Sequence, residues 1–184
     1  MSISLIILAA GMGSRMNSDL PKVLHGLGGA PLLVHAMRAG AVLEPQKVVV
    51  VTGHGADLVE QAALAENPDA ICVHQAEQSG TAHAVQQARD ALAGAGGDAV
   101  VLYGDTPFVQ SDTIAGMLQA RAQHDVIVLG FEAADPGRYG RLVMDGDSLE
   151  RIVEFKDATE AERAITLCNS GVVCADAALL FDLI

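Results

Sequence analysis

The chain has 184 residues, 51% of them hydrophobic, and a formal net charge of −12 from 11 Lys and Arg against 23 Asp and Glu. This length and composition suit one domain with a sizeable apolar core. The negative charge argues against nucleic acid as a partner, because nucleic-acid-binding proteins need a basic surface.

Short apolar runs alternate with longer helical patterns through the first two thirds of the chain. Pro31 suits the first position of a helix and Ser111 the N-cap of another. This alternation predicts an α/β fold with a doubly wound, mostly parallel, Rossmann-like sheet. The predicted strands are residues 3–9, 47–52, 70–73, 99–103 and 126–131, and the predicted helices are 31–41, 56–65, 81–93 and 114–123.

After Glu132 the pattern becomes β-rich. Strands are predicted at 141–144 and 149–155 around Asp145-Gly146, a hairpin signal, followed by a helix near 158–164 and a strand near 167–173. The chain stops within an apolar helical stretch, residues 177–184, without a C-cap. We therefore expect an incomplete domain from a longer natural protein, with large side chains there left without a packing partner.

Other features narrow the cellular setting. The cysteines Cys72, Cys168 and Cys174 lack paired metal spacing, and no signal peptide is apparent, which favours reduced thiols in a cytoplasmic protein. The first ten residues are apolar, but they lack a basic flank and are too short to span a membrane. The six histidines show no metal-ligand spacing and no catalytic constellation, so we predict no catalytic histidine.

A glycine-rich segment, Leu8-Ala9-Ala10-Gly11-Met12-Gly13-Ser14-Arg15-Met16, directly follows the first predicted strand. Bare N–H groups at such a turn can hold phosphate oxygens, and Arg15 adds a forked cationic donor for a polyphosphate. Met16 stands where a dinucleotide fingerprint needs its third glycine, and no P-loop is present. A glycine turn that merely connects strand to helix is the alternative.

Two charged residues downstream of this loop suggest phosphoryl chemistry. Lys22 follows Pro21 and could bridge two reacting phosphates, although an ordinary solvated lysine is the alternative. Asp105 ends an apolar strand, where a carboxylate is well placed to hold Mg²⁺ beside a triphosphate. A turn-capping Asp is the alternative for that position.

The loop and Pro21-Lys22-Val23-Leu24-His25 together resemble the signature of sugar nucleotidyltransferases, and in particular of the bacterial bifunctional N-acetylglucosamine-1-phosphate uridyltransferases. Further matching motifs follow in order along essentially the whole chain. They are residues 75–83 (QAEQSGTAH), 103–107 (YGDTP), 137–141 (GRYGR), 152–158 (IVEFKDA) and 169–171 (NSG).

The resemblance implies a Mg²⁺-dependent N-terminal nucleotidyltransferase domain whose partners are UTP and N-acetylglucosamine 1-phosphate. It implies a role in peptidoglycan synthesis, cell wall biogenesis and cell shape. Arg15 and Lys22 are then catalytic, and Asp105 is the metal ligand. The implied nucleotide-binding residues are Leu8, Ala9, Ala10, Gly11, Gly13, Gln75, Gly80 and Thr81, although Thr81 also suits a helix N-cap. The implied sugar-binding residues are Tyr103, Gly140, Glu154 and Asn169.

On this interpretation, residues 1 to about 132 bind the nucleotide, residues 133–184 form a β-rich sugar-binding lobe, and the active site lies in a cleft between them. The family also has a second metal ligand, an Asn, after residue 184, and usually a trimeric acetyltransferase β-helix. No hexapeptide repeat occurs here, so acetyl transfer and trimers are expected only of a longer protein. The alternatives are a related nucleotidyltransferase with another sugar phosphate and a non-catalytic nucleotide-sugar-binding domain.

Overall fold

The structure is a computed structural model that describes residues 2–13 and 16–184. The chain forms two compact units. The first unit comprises the residues up to Ile127 together with Val173–Ile184, and the second comprises Val128–Val172. The functional division predicted near residue 132 stays a prediction.

The described residues confirm most predicted elements to within a few positions. The strands are β1 (Ile3–Ala9), β2 (Gly26–Leu27), β3 (Ala30–Pro31), β4 (Lys47–Thr52), β5 (Ile71–His74), β6 (Asp98–Tyr103), β7 (Val126–Glu132), β8 (Arg141–Asp145), β9 (Ser148–Val153) and β10 (Leu167–Asp176). The helices are α1 (Leu32–Ala41), α2 (Ala56–Glu66), α3 (Thr81–Gln86), α4 (Ser111–Ala120), α5 (Glu160–Arg163) and α6 (Ala177–Asp182).

A parallel sheet in the order β5-β4-β1-β6 forms the centre of the first unit. Strand β1 lies between β4 and β6, with Leu5 opposite both Val48 and Val100. The last residues of β10 add an antiparallel edge, where Val173 pairs with Val101. Every residue of β1 is buried, as the continuous apolar run predicts for a strand covered on both faces.

Helices cover both faces of this sheet. Successive side chains of β1 point to opposite faces and therefore pack against different helices. On one face α1 lies against Leu5, so closely that a Cβ at Gly40 would lie 2.5 Å from Leu5 Cδ2. On the other face Ile6 and Leu8 pack into a buried cluster with residues of α3 and α6. The predicted doubly wound, mostly parallel α/β architecture is therefore confirmed.

Two residues predicted to mark helix starts are each one position out, and α4 begins three residues before the predicted position 114. Pro31 is the N-cap of α1 and also ends β3, with an extended ψ of 152°, because it pairs with Gly26 in a small hairpin around Gly28-Gly29 that was not among the predicted elements. Ser111 is the first residue of α4 rather than its N-cap. Its hydroxyl donates to the Ala39 carbonyl at 3.3 Å and so joins α4 to the α1 segment instead of capping the helix.

Two further predictions are wrong: one helix is shorter than predicted, and one predicted strand does not belong to the parallel part of the sheet. The helix predicted over 81–93 ends at Gln86, because amides beyond it bond to carbonyls three residues back, as Ala88 N does to Val85 O at 3.0 Å. The chain there continues as successive tight turns. The fifth predicted strand, now β7, pairs with β10 in the second unit rather than with the four parallel strands.

The second unit is built on hairpin and antiparallel pairing. Strands β8 and β9 pair through Asp145 and Ser148, which confirms the hairpin and leaves a two-residue loop. Strand β10 joins this hairpin through Cys168 opposite Arg141. Helix α5 begins later than predicted because Thr159 and Glu162 form a capping box that fixes its start.

The large side chains of residues 177–184 were expected to lack a packing partner, but most of those on α6 are buried. Leu180 and Phe181 on α6 are buried in the core of the first unit, since α6 lies against the β6 side of the sheet. Leu183 is 64% exposed and fits the expectation. Among the described residues, no helix is long and apolar enough to cross a membrane.

Candidate active site

A pocket of about 400 Å³ opens in the first unit, around the carboxyl ends of β1 and β6. Its size lies within the range of small-molecule sites, and its position is where open α/β sheets bind ligands. Most of the predicted nucleotide-binding residues line it, together with the predicted catalytic Lys22, the predicted metal ligand Asp105 and the predicted sugar-binding Tyr103. These are Leu8, Ala10, Gly11, Gly13, Lys22, Gln75, Gly80, Thr81, Tyr103 and Asp105.

The glycine-rich loop runs along one wall of this pocket. Gly13 has φ +62°, which favours glycine, and a Cβ there would lie 2.6 Å from Lys22 Cβ. The Ala10 carbonyl accepts from the Gln78 side-chain amide at 2.9 Å, which ties the loop to the 75–83 segment. Ala9 is buried and is not among the lining residues. Arg15 lies outside the described residues.

Lys22 and Asp105 meet in the pocket although 83 positions separate them in the sequence. The Lys22 ammonium donates to Asp105 Oδ2 at 2.6 Å. Lys22 is the first residue of the short helical turn Lys22–Leu24. Asp105 follows β6, and the pairing of β6 with β1 continues just before it, where Gly104 N donates to Leu8 O at 2.9 Å. The side chains are 35% and 28% exposed, so solvent screens the pair and it opens at little cost.

The opposite wall comes from the 75–83 segment. Gln75 is only 4% exposed, and its Nε2 donates to the Gly80 carbonyl at 3.2 Å. Gly80, not Thr81, occupies the N-cap of α3 because its φ of 104° suits glycine, so the alternative N-cap role of Thr81 is wrong. Thr81 is the exposed first residue of the helix and remains available to a ligand.

Sequence reasoning missed several residues at this pocket. Gln78 lines it and holds the loop through Ala10, and Val23 and Ala84 supply apolar walls. Gln78 belongs to the 75–83 motif of the resemblance, so the sequence did contain a signal that could have identified it as a site residue. His83 does not line the pocket, but its Nδ1 lies 3.0 Å from Gln75 Nε2. No metal spacing or catalytic pattern marked it.

Three of the four predicted sugar-binding residues belong to the second unit and come close to one another there. Asn169 N donates to the Gly140 carbonyl at 2.8 Å. A Cβ at Gly140 would lie 3.2 Å from Glu154 Oε1, so the carboxylate lies directly over this backbone position. Asn169 Oδ1 accepts from Gly171 N at 2.9 Å, which orients the amide. The fourth residue, Tyr103, lines the pocket of the first unit.

Among the described residues that line the pocket, Asp105 has the carboxylate that could hold a divalent cation. Among the described residues, no three His, Cys, Asp or Glu side chains cluster in a way that would hold a metal. Mg²⁺ is commonly held by one or two carboxylates together with substrate phosphates and water. A single carboxylate in a pocket large enough for a polyphosphate fits an ion that enters with its nucleotide.

Comparisons with known proteins agree with this geometry. Residues 5–169 match the family of MobA-like NTP transferase domains. The bifunctional protein GlmU of Ruegeria pomeroyi is 67% identical, and that of Roseobacter denitrificans 64%; each alignment covers 100% of this chain and 41% of the relative. The chain thus spans about two fifths of the length of these relatives. The solved structure of HddC from Yersinia pseudotuberculosis, 23% identical, has a TM-score of 0.76 over 97% of this chain and 79% of that one, which is a likeness of fold.

Proposed function

Because the chain belongs to the family of MobA-like NTP transferase domains, we propose that it transfers a uridylyl group from UTP to N-acetylglucosamine 1-phosphate. The products are UDP-N-acetylglucosamine and pyrophosphate. Membership of the family makes the chain a nucleotidyltransferase, and similarity to GlmU proteins along its whole length supports these two substrates. The observation that carries the proposal is the meeting of Lys22 and Asp105 in a pocket that Gln75 and Gly80 also line.

The reaction is a direct displacement at the α-phosphorus of UTP. A phosphate oxygen of the sugar phosphate forms a new bond to that phosphorus, and the bond to the bridging oxygen breaks. Pyrophosphate leaves with the electron pair. Because the attacking phosphate oxygen is already ionised at neutral pH, no proton has to be removed from it.

The protein then has to position two anions and offset their repulsion. Lys22 is the described cation in the pocket, and its ammonium is held by Asp105 until a stronger anion arrives. A triphosphate draws the ammonium away because the solvent-screened pair is weak. Lys22 then lies against the reacting phosphates, and Arg15 supplies a second, forked donor for the polyphosphate.

Asp105 is the residue that would hold Mg²⁺, which supplies charge neutralisation of the triphosphate when bound. Release of Lys22 frees the Asp105 oxygen that the ammonium occupied. One charged pair thereby separates into a phosphate-binding cation and a metal-binding carboxylate. The pocket offers a polyphosphate this cationic group although the chain carries a net charge of −12.

Uracil and sugar contacts come from different parts of the chain. Gln75, Gly80 and Thr81 bind the nucleotide, with the buried Gln75 amide reading the base. Glu154, Asn169, Tyr103 and the Gly140 backbone bind the sugar, since hydroxyls and an acetamido group need carboxylate, amide and backbone partners. This assignment makes the second unit responsible for the choice of sugar.

A substrate panel tests the proposed function. The longest natural polypeptide that contains this chain is incubated with Mg²⁺ and each combination of UTP, CTP, dTTP or GTP with several sugar 1-phosphates, and pyrophosphate release is measured. We expect the highest kcat/KM for UTP with N-acetylglucosamine 1-phosphate. A clear preference for another pair would reassign the substrates, and no release with any pair would refute the proposal.

A further inference from the structure

His83 is a half-buried residue of α3 that contacts the base-reading amide without lining the pocket. Its Nδ1 lies 3.0 Å from Gln75 Nε2. We propose that His83 is a positioning residue that sets selectivity for uracil by fixing the orientation of the Gln75 amide. This inference rests on the proposed function, because it concerns how the same pocket chooses its nucleotide.

The orientation of the Gln75 amide is fixed first by the backbone. The Gly80 carbonyl lies 3.2 Å from the amide nitrogen and accepts from Ala84 N at 3.1 Å, as expected of the N-cap carbonyl of α3. A carbonyl can only accept, so the NH₂ group and not the oxygen of Gln75 faces it. Burial of Gln75 keeps the amide in this place.

The histidine takes up the second hydrogen of the same NH₂ group. A neutral imidazole has one donor and one acceptor nitrogen, so Nδ1 must be the acceptor and Nε2 carries the proton. Gln87 Nε2 lies 3.2 Å from His83 Nε2, and it also donates to the His83 carbonyl at 3.0 Å. Two NH₂ groups cannot both donate to one neutral ring. The half-buried Gln87 can turn and exchange its bond to the His83 carbonyl for one to water, whereas the buried Gln75 would lose its bond to the Gly80 carbonyl without replacement.

With both hydrogens of Gln75 engaged, the amide offers a ligand its oxygen alone. Among the described residues, none donates to Gln75 Oε1. An acceptor pairs with an N–H group, such as N3–H of uracil, whereas N3 of cytosine is itself an acceptor. The pinned amide therefore favours uracil over cytosine. Without His83 only the Gly80 carbonyl holds the NH₂ group, so turning the amide costs about one hydrogen bond less and the amide can meet either base.

The test separates the Nδ1 contact from the general shape of the side chain. His83→Asn keeps a hydrogen-bond acceptor near the position of Nδ1, His83→Gln moves it towards Nε2, and His83→Ala removes it. Gln87→Ala is the matched control, because it removes the contact to the other ring nitrogen. The longest natural polypeptide containing this chain is used, with thermal unfolding confirming that each variant is folded.

Two ratios are measured for every variant: kcat/KM for UTP over that for CTP, and Kd for CTP over that for UTP, the latter without sugar phosphate. We expect His83→Ala and His83→Gln to lower both ratios about ten-fold, mainly through weaker UTP binding. His83→Asn should recover most of the preference, and Gln87→Ala should stay within about two-fold of the original.

The outcomes distinguish this inference from the proposed function. Unchanged ratios in His83→Ala, equal losses with both nucleotides, or equal behaviour of the Asn and Gln variants would overturn the role of His83. A protein without any preference for UTP in binding would overturn it as well. If the protein binds UTP in a His83-dependent way but transfers nothing to a sugar phosphate, the inference stands and the proposed reaction falls.

Discussion

The two units of the chain present their predicted ligand-binding groups in different ways. In the first unit, polar groups stand at the ends of parallel strands whose residues are almost wholly buried, as in β1 and β4. In the second unit, Glu154 follows the largely exposed strand β9, and α5 contains no buried residue. One site rests on a close-packed core, whereas the other rests on a thin antiparallel layer.

Arg141 illustrates how the second unit compensates for its small core. It is almost fully buried and donates to the carbonyls of Gly137 and Arg163 at 3.1 and 3.2 Å and to that of Tyr139. Backbone carbonyls thus bind the two terminal nitrogens of a buried cation in place of a carboxylate, while its Nε has no partner among the described residues. The first unit holds its groups by apolar packing, and the second by polar ties to loops. We therefore expect catalytic and nucleotide-choice effects from the first unit and sugar-choice effects from the second.

The largest expected effect comes from the first unit. Lys22→Ala should lower kcat about 10²–10³-fold, because it removes a charge that stabilises the transition state. The matched control is Lys156→Ala, an exposed lysine of the second unit that lies 4.0 Å from Asp157. Steady-state kinetics with unfolding curves measure both variants. Equal kcat values for the two would remove Lys22 from the mechanism.

The second effect should be specific to one substrate. Glu154→Ala should raise KM for N-acetylglucosamine 1-phosphate about ten-fold and leave KM for UTP within about two-fold, as for the loss of one hydrogen bond to a charged group. Glu150→Ala on the same strand is the control, because Glu150 is exposed and contacts Arg151. Comparable losses for both substrates would contradict the division of labour between the units.

A thiol-reactivity measurement probes the close packing of the first unit. Burial and, secondarily, Asp98 raise the pKa of Cys174 to about 11, whereas Cys72 on the edge strand β5 is only half-buried. At pH 8 iodoacetamide should modify Cys72 at least several-fold faster than Cys174, since the thiolate is the reactive form. Mass spectrometry of the folded protein gives both rates. Equal rates would show that the sheet opens readily.

The smallest effect concerns the exposed surface of the second unit. Hydrogen bonds from Thr159 and Arg151 lower the pKa of Glu162 from 4.5 to about 2. Glu162 therefore stabilises the fold fully above pH 4.5, and its contribution is lost as the pH falls towards 2. The fall in Tm between pH 5 and pH 3 should be smaller in Glu162→Gln, which keeps a capping side chain without the titration. If Glu160→Gln has the same effect, the cap is not the cause.

The sequence predicted the parallel sheet well, because a fully buried strand must be a continuous apolar run and β1 and β4 end where those runs end. It also predicted that Lys22 and Asp105 serve one site. Lys22 lies downstream of the loop that follows β1, Asp105 follows β6, and the carboxyl ends of these neighbouring parallel strands lie at one edge of the sheet. The partner of β7 could not be predicted, because that pairing depends on residues distant in the sequence. The hairpin that uses Pro31 is local, and Gly28-Gly29 is a turn signal for it. The contact of His83 with Gln75 depends on side-chain placement, which no spacing encodes.

Direct transfer at the first unit's pocket is the central claim, and labelled UTP tests it most directly. UTP carrying ³²P at the α position is mixed with N-acetylglucosamine 1-phosphate, Mg²⁺ and the longest natural polypeptide that contains this chain, or its Lys22→Ala variant. We expect label in UDP-N-acetylglucosamine, none in pyrophosphate, and almost no product with the variant. Label retained in UTP, or equal product from both proteins, would contradict this account.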